Sequence, residues 1–241
     1  MRIAPNRIDL RSMFATPLGT YKMPEDKHEE FKVAVRESIK KSDVRINDAA
    51  PSLKHYYQKS AEHLLYDNDE PIFKYFHRWL EECYCDFVID VQGYNSSQDV
   101  FVTDCWVNVA AEGGHQVMHA HANSLVSGTY YVHMEGQCGD VVFCNPSNSA
   151  NKPYLQHMIL KDSPFSASQE IGNAREGHLI LWPGHLNHYT LPTGANSARV
   201  SVSMNFMPQV LTYGGYTVSY THLRAHETRH ALVCRLLLEK K

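Results

Sequence analysis

The chain has 241 residues, of which 43% are hydrophobic and 20% charged, as in an ordinary globular protein. Its formal net charge is −3 and it has no lysine- or arginine-rich run, so the sequence gives no sign of a nucleic-acid-binding surface. No apolar run is long enough to cross a bilayer, and the first residues contain no signal-peptide core. We therefore expect a cytoplasmic protein without a membrane partner.

Residues 1–99 carry helix signals. Pro24 opens the first helix, because proline is tolerated in a first turn, and Glu25 and Asp26 favour the positive end of the helix dipole. We predict that this helix ends near Lys41, and that a second helix covers residues 53–66. A third helix starts at Pro71 and carries an apolar stripe of Ile72, Phe76, Leu80, Cys83 and Phe87. These helices are expected to form a layer that supports the outside of a β-domain.

Residues 100–217 carry about eight short segments of strand composition, separated by turn signals and without crossover helices. The segments lie at 101–109, 117–121, 125–134, 140–144, 156–161, 178–182, 187–191 and 198–206. Such a series predicts an antiparallel sandwich or barrel, with the jelly roll among the possibilities. The polar stretch 163–177 has no periodicity and is a candidate flap over a binding site.

Residues 218–241 do not read as native protein. Residues 218–228 and 232–241 resemble the in-frame translation of a DNA-sequencing adapter, the second ending in a poly-A run. We expect 218–241 to be a non-native tail, with the biological sequence ending near Thr217 and its true C-terminus missing. The tail histidines His222, His226 and His230 are therefore set aside as metal ligands.

The strongest chemical signal is a close pair of histidines, His119 and His121. Alternate residues of a strand project to the same side, and imidazole is the commonest side-chain ligand for zinc, copper, iron and nickel. Completed by His188 from a later strand, the pair would form a three-ligand metal site with open positions. The alternative is a set of unrelated histidines in a chain that has 15 of them. His115 and His185 fall outside the register for neighbouring ligands.

Arg199 begins an otherwise apolar strand eleven residues after His188. Burying a charge without a partner is costly, so this guanidinium needs an anion. Arginine binds carboxylates bidentately, and a dicarboxylate ligand would satisfy it. A structural salt bridge to a strand-borne acid such as Asp140 would satisfy it equally well, and the residues alone leave both open.

Several motifs together resemble one family. They are His119-Ala120-His121 to Ser124, Ser127-Gly128-Thr129-Tyr130-Tyr131-Val132, Trp182-Pro183 to His188, Arg199-Val200-Ser201 to Asn205, and Phe14-Ala15-Thr16-Pro17. In this spacing they resemble 2-oxoglutarate/Fe(II)-dependent oxygenases from phages and bacteria, over most of residues 14–206. The resemblance implies a mainly β fold with N-terminal helices, a double-stranded β-helix of the jelly-roll, cupin-like type.

The resemblance also implies a metal, a co-substrate and the residues that bind them. Fe(II) would be held by the catalytic residues His119, His121 and His188. The 2-oxoglutarate would chelate the iron through its 1-carboxylate and 2-keto oxygens, and its 5-carboxylate would pair with Arg199, helped by Ser201 and Tyr131. His121 stands where the wider superfamily has a carboxylate, which leaves the metal centre more positive. Asn108 and Asn123 are weaker candidates for holding co-substrate or substrate.

The implied activity is that of a dioxygenase, which oxidises 2-oxoglutarate to succinate and carbon dioxide and usually hydroxylates a second substrate. The sequence does not identify that substrate. A cupin-like three-histidine metalloenzyme that does not use 2-oxoglutarate is one alternative. A non-catalytic β-sandwich, acting as a binding module or a phage structural protein, is another. A serine hydrolase is disfavoured because the chain has no Gly-x-Ser-x-Gly motif.

Overall fold

A computed structural model describes residues 15–57, 64–65, 68–94, 100–122, 124–146, 167–208, 210–213 and 216–219. The helices are α1 (Glu25–Lys41) and α2 (Pro71–Cys85), and α2 continues as a π-helical segment (Asp86–Val91). The strands are β1 (Gly19–Lys22), β2 (Asp43–Ile46), β3 (Leu53–Tyr57), β4 (Val100–Ala110), β5 (Val126–Glu135), β6 (Val141–Cys144), β7 (Gln169–Ile171), β8 (His178–Pro183), β9 (His188–Thr190), β10 (Ala198–Pro208), β11 (Val210–Tyr213) and β12 (Tyr216–Ser219). None of the described helices is long and apolar enough to span a membrane.

The strands form two antiparallel sheets and a separate hairpin. The large sheet has seven strands in the order β1-β8-β5-β10-β4-β3-β2, and the small sheet has three in the order β7-β6-β9. Strands β11 and β12 pair only with each other. Side chains of β5 and β8 pack against those of β6, so the two sheets face each other. This arrangement confirms the mainly β prediction.

Side chains of β5 and β8 alternate between the two faces of the large sheet. Tyr130 and Leu179 belong to the core under the helices, whereas Tyr131 and Ile180, their chain neighbours, pack toward the small sheet. All four side chains are at least 99% buried, and burial of a large apolar side chain stabilises a fold by about 1.5–3 kcal/mol. The period-two alternation therefore creates one apolar core and, on the opposite face, the wall of a cavity.

Both long predicted helices are confirmed, and they cover the outer face of the large sheet. In α1, Phe31 and Val35 are fully buried, and in α2, Phe76 and Leu80 are fully buried. The rings of Phe31 and Phe76 stack with centroids 4.0 Å apart, and both also contact the ring of Tyr130 on β5. The apolar spacing of the sequence thus corresponds to a helix pair packed on the sheet.

The predicted helix over 53–66 is wrong at its start, because Leu53–Tyr57 forms strand β3. Leu53 is buried beside the exposed Lys54, as expected for a strand, and β3 pairs with β4 in the large sheet. Residues 58–63 and 66–67 lie outside the described residues. The N-terminal region therefore supplies strands as well as helices, and the domain boundaries at 99/100 and 217/218 stay predictions.

The predicted strand over 117–121 is also wrong. His119 and His188 exchange two backbone hydrogen bonds of 2.9 Å, which make an isolated bridge rather than a ladder. Val117 and Met118 are exposed, so no alternating burial pattern supports a longer strand there. The predicted strand over 156–161 lies outside the described residues, and part of the candidate flap forms β7, which pairs with β6.

Candidate metal centre and cavity

Three histidines from two distant parts of the chain meet at one point. The ring centroids are 5.0 Å apart for His119 and His121, 4.3 Å for His119 and His188, and 5.2 Å for His121 and His188. One nitrogen of each ring lies within 4.8 Å of the other two. The backbone fixes this arrangement, because His119 pairs with His188 and the amide of His121 donates to the carbonyl of Gly184 at 2.9 Å.

Two of the three imidazoles are oriented by backbone carbonyls. Nδ1 of His119 lies 2.8 Å from the Val117 carbonyl, and Nδ1 of His188 lies 2.9 Å from the Leu186 carbonyl. A carbonyl can only accept, so each Nδ1 carries the proton and each Nε2 keeps its lone pair for a metal. Among the described residues, the His121 side chain has no such partner.

The pKa values of the buried histidines favour the neutral, ligating form. Burial, together with the smaller effect of the neighbouring histidines, lowers the pKa of His188 to about 3 and that of His121 to about 4. Neutral imidazoles are the form that binds metals. The donor set therefore fits a divalent ion with three nitrogen ligands.

Two aromatic side chains pack against the ring of His188. The Trp182 ring lies 4.8 Å and the Phe143 ring 6.1 Å from the His188 ring, and His188 is only 4% exposed. Trp182 belongs to the Trp182-Pro183 motif of the sequence. The position of Phe143 beside the site could not be predicted, because one aromatic residue in a short strand carries no recognisable signal. This packing limits the rotation of the imidazole.

All the predicted site residues line one cavity of about 270 Å³, close to the lower end of the range for ligand pockets. They are His119, His121, His188, Arg199, Ser201 and Tyr131. Strand register explains why side chains from three strands converge here, because Ser201 of β10 lies opposite Tyr131 of β5 and Asn108 of β4. Asn108 also lines the cavity, whereas Asn123 lies outside the described residues.

Arg199 is 4% exposed and has no anionic partner among the described residues. Its guanidinium donates to the carbonyl of Gly139 and, at 3.4 Å, to the hydroxyl of Thr190, both of them neutral. Asp140 does not form the alternative salt bridge with Arg199; its Oδ1 accepts the amides of Val141 and Ala174, each at 2.9 Å. A buried arginine held only by neutral groups is suited to bind a carboxylate.

Tyr131 and Ser201 supply neutral hydrogen-bond donors beside Arg199. They are 1% and 3% exposed, respectively. Burial raises the pKa of Tyr131 well above its usual range, although the positive charge of Arg199 acts in the opposite direction. The phenol therefore keeps its proton, and both hydroxyls can donate to an anion.

The cavity-lining side chains that carry no sequence signal include His55, Trp106 and Gln116. Their spacing carries no motif, and His55 lies in the segment that was predicted as a helix. The two histidines set aside by register lie elsewhere: Nδ1 of His115 contacts the Gly113 carbonyl at 2.9 Å, and His185 is exposed.

Residues 104–205 match the family model described as "Putative 2OG-Fe(II) oxygenase". No curated protein matches the chain.

HygX from Streptomyces hygroscopicus, solved with nickel, 2-oxoglutarate and hygromycin B bound, is 15% identical with a TM-score of 0.55, covering 80% of this chain and 83% of HygX. A prolyl-4-hydroxylase from Pseudomonas putida is 12% identical with a TM-score of 0.54, covering 79% and 92%. The non-heme alpha-ketoglutarate-dependent carbocyclase SnoK from nogalamycin biosynthesis is 11% identical with a TM-score of 0.60, covering 91% and 86%. At these identities the likeness shows a shared fold, the double-stranded β-helix.

Proposed function

We propose that this protein, whose residues 104–205 match the family of putative 2OG-Fe(II) oxygenases, hydroxylates a C–H bond of its substrate and binds both Fe(II) and 2-oxoglutarate in the cavity. In that reaction dioxygen supplies one oxygen atom to the new hydroxyl group and one to succinate, while 2-oxoglutarate loses carbon dioxide. When bound, the iron supplies the redox chemistry, and the protein supplies position and electrostatics.

The observation that carries the proposal is the position of Arg199. The buried guanidinium of Arg199, which has no carboxylate partner within the described part of the chain, lies in the same cavity as three convergent imidazoles. A dicarboxylate with a 2-keto group matches both features, since one end can chelate a metal and the other can pair with the arginine. The cupin-like and non-catalytic alternatives leave the buried charge of Arg199 unexplained.

The roles of the protein groups follow from their geometry. His119, His121 and His188 would hold the iron and leave the remaining coordination positions open to small molecules. Tyr131 and Ser201 would donate hydrogen bonds to the carboxylate that Arg199 pairs with. Nickel and 2-oxoglutarate bound in HygX support the same use of this fold here.

Calorimetric titration of the zinc-loaded protein with 2-oxoglutarate tests this assignment without redox chemistry. We expect one equivalent to bind, Arg199→Met to abolish binding, and zinc content to stay unchanged. Arg175→Met, which removes an exposed arginine, serves as the control and should bind normally. Binding that survives in Arg199→Met, or is missing in the parent protein, would refute the proposed co-substrate site.

We also propose a cytoplasmic location. All five described cysteines carry free thiols, as is typical of proteins from reducing compartments. Cell fractionation tests this: the protein should be recovered with cytoplasmic markers, and recovery with secreted proteins would refute it.

A further inference from the structure

Three polar residues of the sequence motifs have no part in the proposed binding of metal or co-substrate. They are Ser124, Ser127 and Asn205. Ser127 is 1% and Asn205 8% exposed, and burying a polar side chain costs free energy unless it is hydrogen-bonded. In the structure the three side chains belong to one chain of hydrogen bonds, and its partners indicate what this chain holds together.

The chain of hydrogen bonds begins in the loop after the histidine pair and crosses three strands of the large sheet. Oγ of Ser124 donates to the carbonyl of Val126 at 2.6 Å. The hydroxyl proton of Ser127 has two acceptors, Oγ of Ser124 at 3.0 Å and Oδ1 of Asn205 at 2.9 Å. Nδ2 of Asn205 donates to Oδ2 of Asp104 at 3.3 Å. The loop is thus joined to strands β5, β10 and β4.

Strand register places these side chains in one row on the cavity side of the large sheet. Asn205 of β10 lies opposite both Ser127 of β5 and Asp104 of β4. Ser127 in turn lies opposite Trp182 of β8, which lines the cavity. Side chains of directly opposite residues share one face of a sheet. Because the indole of Trp182 lies 4.8 Å from the ring of His188, the row that contacts this ligand also reaches the loop of the histidine pair.

His121 is the ligand that depends most on such support. Unlike the rings of the other two ligands, its ring has no hydrogen bond to a backbone carbonyl among the described residues. Its backbone amide donates to the carbonyl of Gly184 at 2.9 Å. A Cβ atom at Gly184 would overlap the backbone of Ser124, so Ser124 lies directly against this glycine. The position of His121 therefore depends on how the loop between His121 and Ser124 is held.

We propose that Ser124, Ser127 and Asn205 are positioning residues, which hold this loop on the large sheet and so keep the imidazole of His121 in place for the metal. The inference rests on the proposed function, since only a bound metal requires His121 to be fixed relative to the other two histidines. Groups that orient a metal ligand from outside the coordination shell contribute about 10- to 100-fold to metal affinity. Metal affinity is therefore the quantity that this chain of hydrogen bonds controls.

Zinc affinity of the full chain, measured by competition with a chromophoric chelator, tests this role. Ser124→Val and Ser124→Thr form a matched pair, because the two new side chains have the same shape and only threonine keeps the hydroxyl. We expect Ser124→Val to weaken zinc binding about tenfold and Ser124→Thr to bind like the parent protein. Asn205→Leu, which interrupts the hydrogen bonds at β10, should also weaken zinc binding about tenfold. Ser38→Ala, which changes a buried serine of α1, is the control and should leave the zinc affinity unchanged.

Hydrogen exchange of the His121 amide in the metal-free full chain, followed by NMR, measures the same restraint without a metal. We expect exchange about fivefold faster in Ser124→Val, the value of one hydrogen bond, and unchanged in Ser124→Thr. Parent-like zinc affinity and exchange in Ser124→Val would overturn the proposal even where Asn205→Leu fails to fold. A Ser124→Thr variant as impaired as Ser124→Val would overturn it too. A parent protein that binds no zinc, together with faster exchange in Ser124→Val, would refute the metal site and leave the positioning of the loop intact.

Discussion

Arg199 shows how the surroundings of a single residue separate two interpretations that its sequence position leaves open. From the sequence, a salt bridge to Asp140 and a pairing with a bound dicarboxylate are equally reasonable. In the structure Oδ1 of Asp140 accepts two backbone amides, and the contacts of the guanidinium with other described residues are to neutral oxygens. Such contacts orient the guanidinium without neutralising its charge.

Replacing Arg199 with lysine tests whether the planar guanidinium matters beyond its charge. Lysine keeps the positive charge but cannot form a bidentate pair with a carboxylate. We expect Arg199→Lys to lower the affinity for 2-oxoglutarate about tenfold, the loss of one charge-assisted hydrogen bond. Titration of the zinc-loaded variant measures this. A lysine variant that binds as tightly as the parent protein would show that charge alone is sufficient.

Gly139 holds the carbonyl that Arg199 contacts, and no larger residue fits there. A Cβ atom at this position would overlap the backbone carbonyl of Leu191. Gly139→Ala must therefore displace the chain next to β9 and move the carbonyl away from Arg199. We expect an unfolding free energy lower by about 1–3 kcal/mol and weaker binding of 2-oxoglutarate. Urea denaturation measures the unfolding free energy and titration measures the affinity for 2-oxoglutarate. Gln137→Ala, which changes an exposed residue, serves as the control. An unchanged unfolding free energy and affinity in Gly139→Ala would contradict the steric argument.

Among the secondary-structure elements, those with strong periodicity were predictable and those that depend on tertiary partners were not. Helices α1 and α2 follow from their apolar spacing. Strand β3 was predicted as a helix because a five-residue segment carries too little pattern to outweigh its helical surroundings. Its strand form comes from pairing with β4, which lies more than 40 residues further along the chain.

The histidine pair shows that the convergence of side chains can follow from a partly wrong local structure. Strand geometry was expected to put His119 and His121 on one side, yet the segment has only an isolated bridge at His119. The two rings still meet, because separate backbone bonds to His188 and Gly184 fix the segment. The position of each ligand is thus set by tertiary hydrogen bonds that spacing alone cannot show.

The carboxylate of Glu176 links helix α1 to the large sheet. It pairs with Lys32 of α1, accepts the amide of Met134 at 2.7 Å, and lies 3.4 Å from His28 and 3.2 Å from His133. Partial burial raises its pKa, but the hydrogen bonds from Lys32, Met134 and His28 outweigh burial and lower the pKa to about 2. The contacts therefore favour the ionised form.

The sign of the resulting pH dependence follows from this lowered pKa. Stability from the ionised form is complete above the ordinary pKa of 4.5 and is lost as the pH falls toward about 2. We expect Glu176→Gln to lower the unfolding free energy at pH 7 by roughly 1–3 kcal/mol, and the gap from the parent protein to narrow below pH 4.5. Urea denaturation across this range measures it, with Glu170→Gln, exposed on β7, as the control. A difference in unfolding free energy between the parent protein and Glu176→Gln that stays constant with pH would show that the charge of Glu176 does not stabilise the fold.

For the whole molecule, the fold class could be predicted from the sequence, because short strands, turn signals and the absence of crossover helices leave few possible architectures. The lining of the cavity could be predicted only in part. The residues proposed to bind metal and co-substrate lie in motifs. His55, Trp106 and Gln116 line the cavity only because β3 pairs with β4 and because of the path of the chain before His119. Side chains that no motif marks are visible only once the sheets are assembled.

The most direct test of the account is optical spectroscopy of the full chain mixed with Fe(II) and 2-oxoglutarate without oxygen. We expect a visible metal-to-ligand charge-transfer band that decays when oxygen is admitted, with formation of succinate. His119→Ala and Arg199→Ala should each lack the band, and Arg175→Ala should keep it. A parent protein that binds iron and shows no band on addition of 2-oxoglutarate would contradict the central claim that the three histidines and Arg199 form one binding site.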